Sequence, residues 1–168
     1  MERTPVEKRF AVLCEIVRAQ HFAWREAVAE LCPGIDPAAV ADRMWEITGR
    51  QTAAAYLKRI DPSRPLAPQV ARSIVWSSRC MGEEAVFEEG ADAEEAFVRH
   101  DACPWFAWHE RLGLLEEDRP GCDRWFSTTV NEINRALGST LRVETLGTLP
   151  DGDPACVRRF WVEAGKDG

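Results

Sequence analysis

The sequence predicts an α+β fold, in which a helical N-terminal half packs on an antiparallel sheet and two further helices cover that sheet. Apolar residues recur at steps of three, four or seven through the N-terminal half, a spacing typical of helices that bury one face. After Gly82 the pattern changes to short segments bounded by turn residues, which is typical of strands. Helices dominate one half and strands appear in the other, and this segregation defines the α+β class.

Three helices are predicted in the N-terminal half. The first covers about 10–31 and ends before a Pro-Gly pair. Its apolar stripe consists of Phe10, Leu13, Val17, Trp24, Val28 and Leu31. The second helix begins after Asp36, an N-cap followed by proline at the first helical position, and it runs to about Ile60. A proline-rich break follows, and a third helix covers about 68–78.

Four strands and two helices are predicted in the C-terminal half. In chain order they are strands at about 85–89 and 96–99, helices at about 104–112 and 123–137, and strands at about 140–146 and 156–162. Pro104 begins the first of these helices, and Gly113 and Gly138 end the two helices as C-caps. Turn residues at 90–92 and 151–154 close two β-hairpins.

Length and composition are those of one folded domain over residues 1–168. We expect a helical lead-in at about 8–80 and a cysteine-containing α+β core at about 82–163. The net charge is −7 at pH 7 and the basic residues are scattered, so no basic surface is available to bind nucleic acid. No apolar run approaches the ~20 residues that a membrane-spanning helix needs. The N-terminus lacks the pattern of a signal peptide, and these features predict a cytoplasmic protein.

Cys103 is the first candidate for chemistry. It lies between the end of a predicted strand and the helix that begins at Pro104, where the positive end of the helix dipole is expected to lower the thiol pKa. A thiolate at this place would be a nucleophile or a metal ligand. His100 precedes it and could reach the same end, whereas His109 lies about a turn and a half along the helix. The alternative is that Cys103 is a small buried residue under Trp105.

Cys122 and Asp123 are predicted to begin the next helix. Asp123 is expected to be its N-cap, or a general base if it faces Cys103. Cys156 follows a tight turn and by itself would be a core residue, and the acidic run 116–118 is expected to be a solvated turn. The chain has no CxxC pair, which excludes the common zinc knuckle. In a further alternative, Cys103, Cys122 and Cys156 would bind zinc or an iron–sulfur cluster together with an imidazole.

The order of several short motifs resembles a known family. The motifs are Cys103-Pro104-Trp105, Leu112-Gly113, Cys122-Asp123 and the run from Leu146 to Cys156, with Arg43-Met44-Trp45-Glu46 and Gly49 upstream. Over about residues 8–163 the chain resembles the L-2-amino-thiazoline-4-carboxylic acid hydrolase family and, more distantly, the small-molecule-binding domains related to bacteriochlorophyll vinyl reductase. The resemblance implies a cytoplasmic α+β protein that opens a cyclic amidine-like ring and releases a carbamoyl-cysteine.

The resemblance also implies roles for particular residues. Cys103, Cys122 and Cys156 match the family's cysteine positions, and Asp123 matches a nearby carboxylate. The sequence Val157-Arg158-Arg159 departs from the pattern, because relatives tend to have an acidic and an aromatic residue after the last cysteine.

The leading hypothesis is a hydrolase without a cofactor that opens a cyclic amidine or thiazoline ring at a C–N or C–S bond. Cys103 would attack the amidine-like carbon, and Cys122 is the second choice for that role. Asp123 or a histidine would move protons, and helix N-terminal amides would stabilise developing negative charge.

The competing hypothesis is a non-catalytic small-molecule-binding or sensory module. Its pocket would be lined by Trp105, Phe106, Trp108, His21 and Trp24. The candidate substrate-binding residues are His21, Trp24, His100, Trp105 and His109. Under either hypothesis the partner is a small molecule, and a homodimer is compatible with the sequence.

Overall fold

The computed structural model describes residues 4–163. Over these residues, five α-helices and four strands occur in the predicted order. They are α1 (Val6–Leu31), α2 (Pro37–Leu57), α3 (Leu66–Cys80), β1 (Glu84–Glu89), β2 (Glu95–Ala102), α4 (Pro104–Leu112), α5 (Leu115–Leu137), β3 (Leu141–Gly147) and β4 (Cys156–Val162), with a short 3-10 helix at Leu149–Asp151. The predicted α+β class is confirmed. No helix in this part of the chain is long and apolar enough to cross a membrane.

The four strands form one antiparallel sheet in the order β1-β2-β4-β3. β1 and β2 form the first hairpin, β3 and β4 form the second, and the pairing of β2 with β4 joins them. In this pairing His100, near the end of β2, lies opposite Cys156 at the start of β4. The sheet thus brings a histidine and a cysteine that are distant in sequence to neighbouring positions.

One hydrophobic core joins the two halves of the chain. α3 and α5 pack on one face of the sheet, where alternate residues of the two central strands are buried. The fully buried apolar side chains include Val70 and Ile74 of α3, Ile133 of α5, Val98 of β2, Leu141 of β3 and Phe160 of β4. α2 packs along α5, and Gly49 permits their close contact because a Cβ there would lie 3.0 Å from the Trp125 carbonyl oxygen.

Helix α5 begins at Leu115, and the predicted start at Asp123 is wrong. The pair Pro120-Gly121 is a turn signal in the sequence, but both residues lie inside the helix. Gly121 is buried, and a Cβ at this position would lie 2.6 Å from Nε1 of Trp45 on α2. The glycine therefore permits a helix–helix contact and does not mark a turn.

The early start of α5 changes the environment of three predicted residues. Cys122 and Asp123 lie in the helix interior, so neither is at a helix N-terminus and Asp123 is not an N-cap. The acidic run 116–118 forms the first turn, where negative charge is favoured by the helix dipole. Asp118 in this run is buried, and the prediction of a solvated turn is wrong for that residue.

Candidate active site at three converging cysteines

The three cysteines of the predicted site come together where α4, α5 and the sheet meet. Cys103 is the N-cap residue of α4, Cys122 lies on α5, and Cys156 begins β4. The Cys122 thiol is close enough to both of the others for their charges to raise its pKa. All three are free thiols. We call this cluster the three-cysteine site.

The thiols of Cys103 and Cys122 are neutral at pH 7. Burial raises the pKa of Cys103 to about 12, and the carboxylates of Glu83 and Asp118 act in the same direction. The backbone amides of Phe106 and Trp105 at the helix N-terminus lower the pKa, but by less. Burial also raises the Cys122 pKa well above its ordinary value. The expected lowering of the Cys103 pKa at the helix N-terminus is outweighed, because the cost of desolvating the charge is larger.

A buried imidazole, His109, pairs with a buried carboxylate, Asp118, whose charge acts on the Cys103 and Cys122 thiols. His109 Nδ1 lies 3.0 Å from the Trp105 carbonyl oxygen and 2.8 Å from Asp118 Oδ2. Since a carbonyl oxygen only accepts, the tautomer assigned to His109 has its proton on Nδ1, which donates a hydrogen bond to the Trp105 carbonyl oxygen. Asp118 Oδ2 is left without a hydrogen-bond partner among the described residues. A buried carboxylate oxygen with spare accepting capacity is suited to receive a proton or a ligand N–H.

Glu83 provides the second carboxylate next to Cys103. Its Oε1 accepts a hydrogen bond from Trp105 Nε1 at 3.1 Å, and its Oε2 lies 3.2 Å from His100 Nε2. The same imidazole nitrogen is 2.9 Å from Ser78 Oγ on α3. His100 is buried and contacts both Ser78 and Glu83. It is therefore linked to Cys103 only indirectly, by way of the Glu83 carboxylate.

Aromatic rings from three helices surround the site; we call them the aromatic cluster. They are His21 and Phe22 of α1, Trp45 of α2, and Trp105, Trp108 and His109 of α4. The His21 ring centroid lies 5.3 Å from Trp45 and 5.4 Å from Trp105, and the two indoles are 5.4 Å apart. Burial lowers the pKa of His21 to about 4, so this ring is neutral at pH 7.

The structure places four of the five predicted substrate-binding residues at this site or beside it. His21, Trp105 and His109 belong to the aromatic cluster, and His100 contacts Glu83. Trp24 does not belong, because it is 75% exposed on the outer side of α1. Its assignment from the sequence as a substrate-binding residue stays a prediction, which this exposed position does not support.

Asp123 is occupied by other partners. Its Oδ1 accepts hydrogen bonds from Thr145 Oγ1 at 2.7 Å and from Arg158 at 3.3 Å, and its Oδ2 lies 3.5 Å from Arg119 Nε. The carboxylates with the largest effect on the Cys103 thiol are instead those of Glu83 and Asp118.

Arg158 places a buried positive charge beside Cys122. Only 2% of its surface is exposed, and its Cζ lies 4.3 Å from the ring centroid of Phe126. Its Nε has no hydrogen-bond partner in the described part of the chain. Its charge lowers the Cys122 pKa, against the larger effect of burial.

The geometry gives no support to the metal alternative. Among residues 4–163, no group of three or more His, Cys, Asp or Glu side chains is arranged to hold a metal ion. Cys103, Cys122 and Cys156 are thus close enough to interact electrostatically without forming a coordination shell.

Sequence reasoning missed Asp118, Glu83 and Trp45 as site residues. A signal was present for Asp118, because Asp118 and Cys122 are four residues apart and share a helix face once the helix is extended upstream. No sequence pattern marks Glu83, which lies in the connection between α3 and β1. Trp45 has the spacing of an ordinary core residue.

Comparison with known proteins gives a family and several solved structures of similar fold. The family model described as L-2-amino-thiazoline-4-carboxylic acid hydrolase matches residues 12–160. No curated protein sequence matches the chain.

Among solved structures, a trafficking protein particle complex subunit 3 from Naegleria fowleri, covalently bound to palmitic acid, is similar with a TM-score of 0.56 at 12% identity. The match covers 92% of this chain and 97% of that chain. The phenol-responsive sensory domain of the transcription activator PoxR, with phenol, gives a TM-score of 0.50 at 12% identity over 86% of this chain and 73% of its own. These two likenesses show the fold alone.

Proposed function

This chain belongs to the L-2-amino-thiazoline-4-carboxylic acid hydrolase family, and from that premise we propose that it hydrolyses a small cyclic amidine of the thiazoline type at the three-cysteine site. The proposal rests on one observation: the half-buried Cys103 thiol lies within electrostatic reach of two carboxylates, beside a cluster of aromatic rings. The bond broken would be the ring C–S or C–N bond at the amidine carbon.

The charges of the site suit an amidinium cation. A planar cation removed from water needs a negative partner, and Asp118 and Glu83 supply two carboxylates. Indole faces attract cations, and Trp45 and Trp105 lie together in the aromatic cluster. A bound cation would also offset the negative charge that raises the Cys103 pKa, so substrate binding would itself favour thiol ionisation.

The reaction then follows from these groups. Cys103 Sγ forms a bond to the amidine carbon while the thiol proton passes to Asp118 Oδ2. The ring C–S bond breaks, and the departing ring sulfur takes that proton. Water next adds to the same carbon and the bond to Sγ breaks, which restores the Cys103 thiol and leaves a carbamoyl group on the former ring nitrogen. The amides of Trp105 and Phe106 stabilise negative charge on Sγ during attack.

The test is turnover of L-2-amino-thiazoline-4-carboxylate, measured as release of the carbamoyl product. We expect Cys103→Ser and Cys103→Ala to remove turnover while circular dichroism stays unchanged. Asp118→Asn should lower kcat by roughly 10²–10⁴-fold, the usual contribution of a general base.

Asp123→Asn is the matched comparison, because it makes the same chemical change on the same helix. We expect a much smaller loss of kcat, since Asp123 is bound by Arg158 and Thr145. If Asp123→Asn proves the more damaging change, the base is Asp123. An active Cys103→Ala protein would exclude the covalent step.

A second candidate function is ligand binding without turnover. The observation in its favour is the aromatic cluster, whose packed rings His21, Trp45 and Trp105 could contact a planar ligand. Titration of wild-type protein with aromatic and amidine ligands, followed by tryptophan fluorescence and by product analysis, separates the two functions. Saturable binding of a ligand, with no product formed from any of the ligands tested, would favour this second function.

A further inference from the structure

Helix α1 presents an apolar surface that the described chain leaves uncovered. Its inner side is fixed to the fold: Cys14, Arg18 and Phe22 are buried, and Arg18 donates a hydrogen bond to the Met81 carbonyl oxygen at 2.8 Å. Eight large apolar side chains of α1 are exposed by 38% to 79%, and six of them follow one row along the helix. We call these six the α1 stripe: Val6, Phe10, Leu13, Val17, Trp24 and Leu31.

The spacing of the α1 stripe is that of a helix–helix seam. Its members follow one another by alternating steps of four and three residues, with Gln20 and Ala27 completing the series. This is the heptad pattern, in which one face of a helix meets one face of a partner helix. A lone exposed apolar residue needs no explanation, but six large ones in one row along a helix do.

We propose that the α1 stripe pairs with the α1 stripe of a second copy of this chain, with the two helices antiparallel. In the register that aligns the two helices over their full length, the start of each α1 lies beside the end of the other. The facing pairs are Val6 with Leu31, Phe10 with Ala27, Leu13 with Trp24, and Val17 with Gln20, each occurring twice by symmetry. The largest side chains then face smaller ones, which is the condition for close packing.

The charges beside the stripe select the antiparallel orientation. Arg9 flanks the stripe near the start of α1 and Glu30 flanks it near the end, and both are exposed. In the proposed register Arg9 of one copy lies beside Glu30 of the other, and the contact occurs twice. A parallel pair would place the two Arg9 side chains at the same end and the two Glu30 side chains at the other.

The area of this face matches what a stable dimer needs. α1 has 26 residues, and a helix of that length is about 39 Å long. A face of that length and about 15–20 Å wide offers on the order of 600–800 Å² per copy, close to the roughly 800 Å² that each partner gives to a standard interface. The pairing uses the outer side of α1, so it is independent of the proposed reaction.

The first test is the mass of the full chain in solution by sedimentation equilibrium. We expect a dimer of about twice the 18.9 kDa chain mass, and we expect Leu13→Glu to yield a monomer with unchanged circular dichroism. Leu146→Glu is the matched control, because Leu146 on the edge strand β3 is 52% exposed and Leu13 is 58% exposed. A monomeric wild type, or a dimer that survives Leu13→Glu, would overturn the proposal.

The second test is a charge exchange that reports the orientation. Arg9→Glu and Glu30→Arg should each weaken the dimer by roughly tenfold, because each change creates two like-charge contacts. The double variant Arg9→Glu/Glu30→Arg should return the dissociation constant close to that of the wild type. Additive weakening in the double variant would exclude the antiparallel register.

Discussion

At the scale of single residues, two opposing effects act on the Cys103 thiol. The amides at the start of α4 favour the thiolate, as they do at many helix N-termini. Burial, together with Glu83 and Asp118, opposes it and raises the pKa to about 12. Under the proposed function, a bound cationic substrate would offset the two carboxylates and favour ionisation of this thiol. The reactivity of Cys103 would then depend on substrate binding.

His21 gives a prediction at the same scale. Its pKa is about 4 in the folded protein because burial disfavours the charged ring, against about 6.5 in an unfolded chain. Above pH 6.5 the His21 ring is neutral in both the folded and the unfolded protein, so it adds nothing to the pH dependence of stability. As the pH falls toward 4, the unfolded chain takes up a proton that the folded protein refuses, so stability is lost. Between pH 7 and pH 5 we expect a loss of about 1 kcal/mol, reduced for partial exposure.

The measurement is the free energy of urea unfolding of the wild type and of His21→Phe at both pH values. The variant keeps a ring in the aromatic cluster but has no group that takes up a proton. Its loss of unfolding free energy between pH 7 and pH 5 should therefore be smaller than that of the wild type by the His21 contribution. Equal pH dependence in the two proteins would show that His21 titrates normally.

At the scale of elements, α5 shows how packing can override a local signal. Pro120 removes one backbone donor inside the helix, and glycine costs about 1 kcal/mol relative to alanine there. The helix continues because its buried residues Phe126, Val130 and Ile133 pack into the core. Gly121 in turn admits the Trp45 indole. The position of Asp118 beside the thiols depends on this continuation.

Gly121→Ala tests the contact between α5 and α2. The added Cβ would lie 2.6 Å from Trp45 Nε1, and the indole is held by His21 and Trp105 and has little room to move. Overpacking of this kind costs about 1–3 kcal/mol, more than the gain in helix propensity. We expect a lower Tm by differential scanning calorimetry. Gly34→Ala is the control, because nothing lies within 4 Å of its added Cβ, and an equal shift there would refute the contact.

At the scale of the whole molecule, the two sides of α1 have different surroundings. Its inner side supplies His21 and Phe22 to the aromatic cluster and Arg25 to an ion pair with Glu117 of α5. Its outer side holds the α1 stripe. A partner on the outer side would leave these inner contacts in place.

Coupled pairing and folding predict a concentration-dependent Tm. Mass action stabilises a folded dimer as the protein concentration rises. For a chain of this size, a hundredfold increase should raise the Tm by roughly 3 °C or more. We expect this shift for the wild type and none for Leu13→Glu, measured by calorimetry over the same concentration range. A wild-type Tm independent of concentration would contradict a dimer that dissociates on unfolding.

The sequence alone was sufficient for the fold class, the order of the elements and the family. Apolar spacing reports which face of an element is buried, and caps such as Pro104 and Gly113 act within a few residues, so both can be read locally. The extent of one domain over residues 1–168 and a cytoplasmic location stay predictions. The motifs around Cys103, Cys122 and Cys156 were sufficient to identify the family.

Only the tertiary structure decided which groups surround the thiols and in what protonation state. Asp118 rather than Asp123 adjoins Cys103 because α5 runs through Pro120-Gly121, and Glu83 arrives from a connection with no pattern of its own. The thiol pKa depends on burial, which is the sum of contacts from α4, α5 and the sheet. Desolvation and electrostatic energies depend on distances between segments remote in sequence, and local patterns contain no information about those distances.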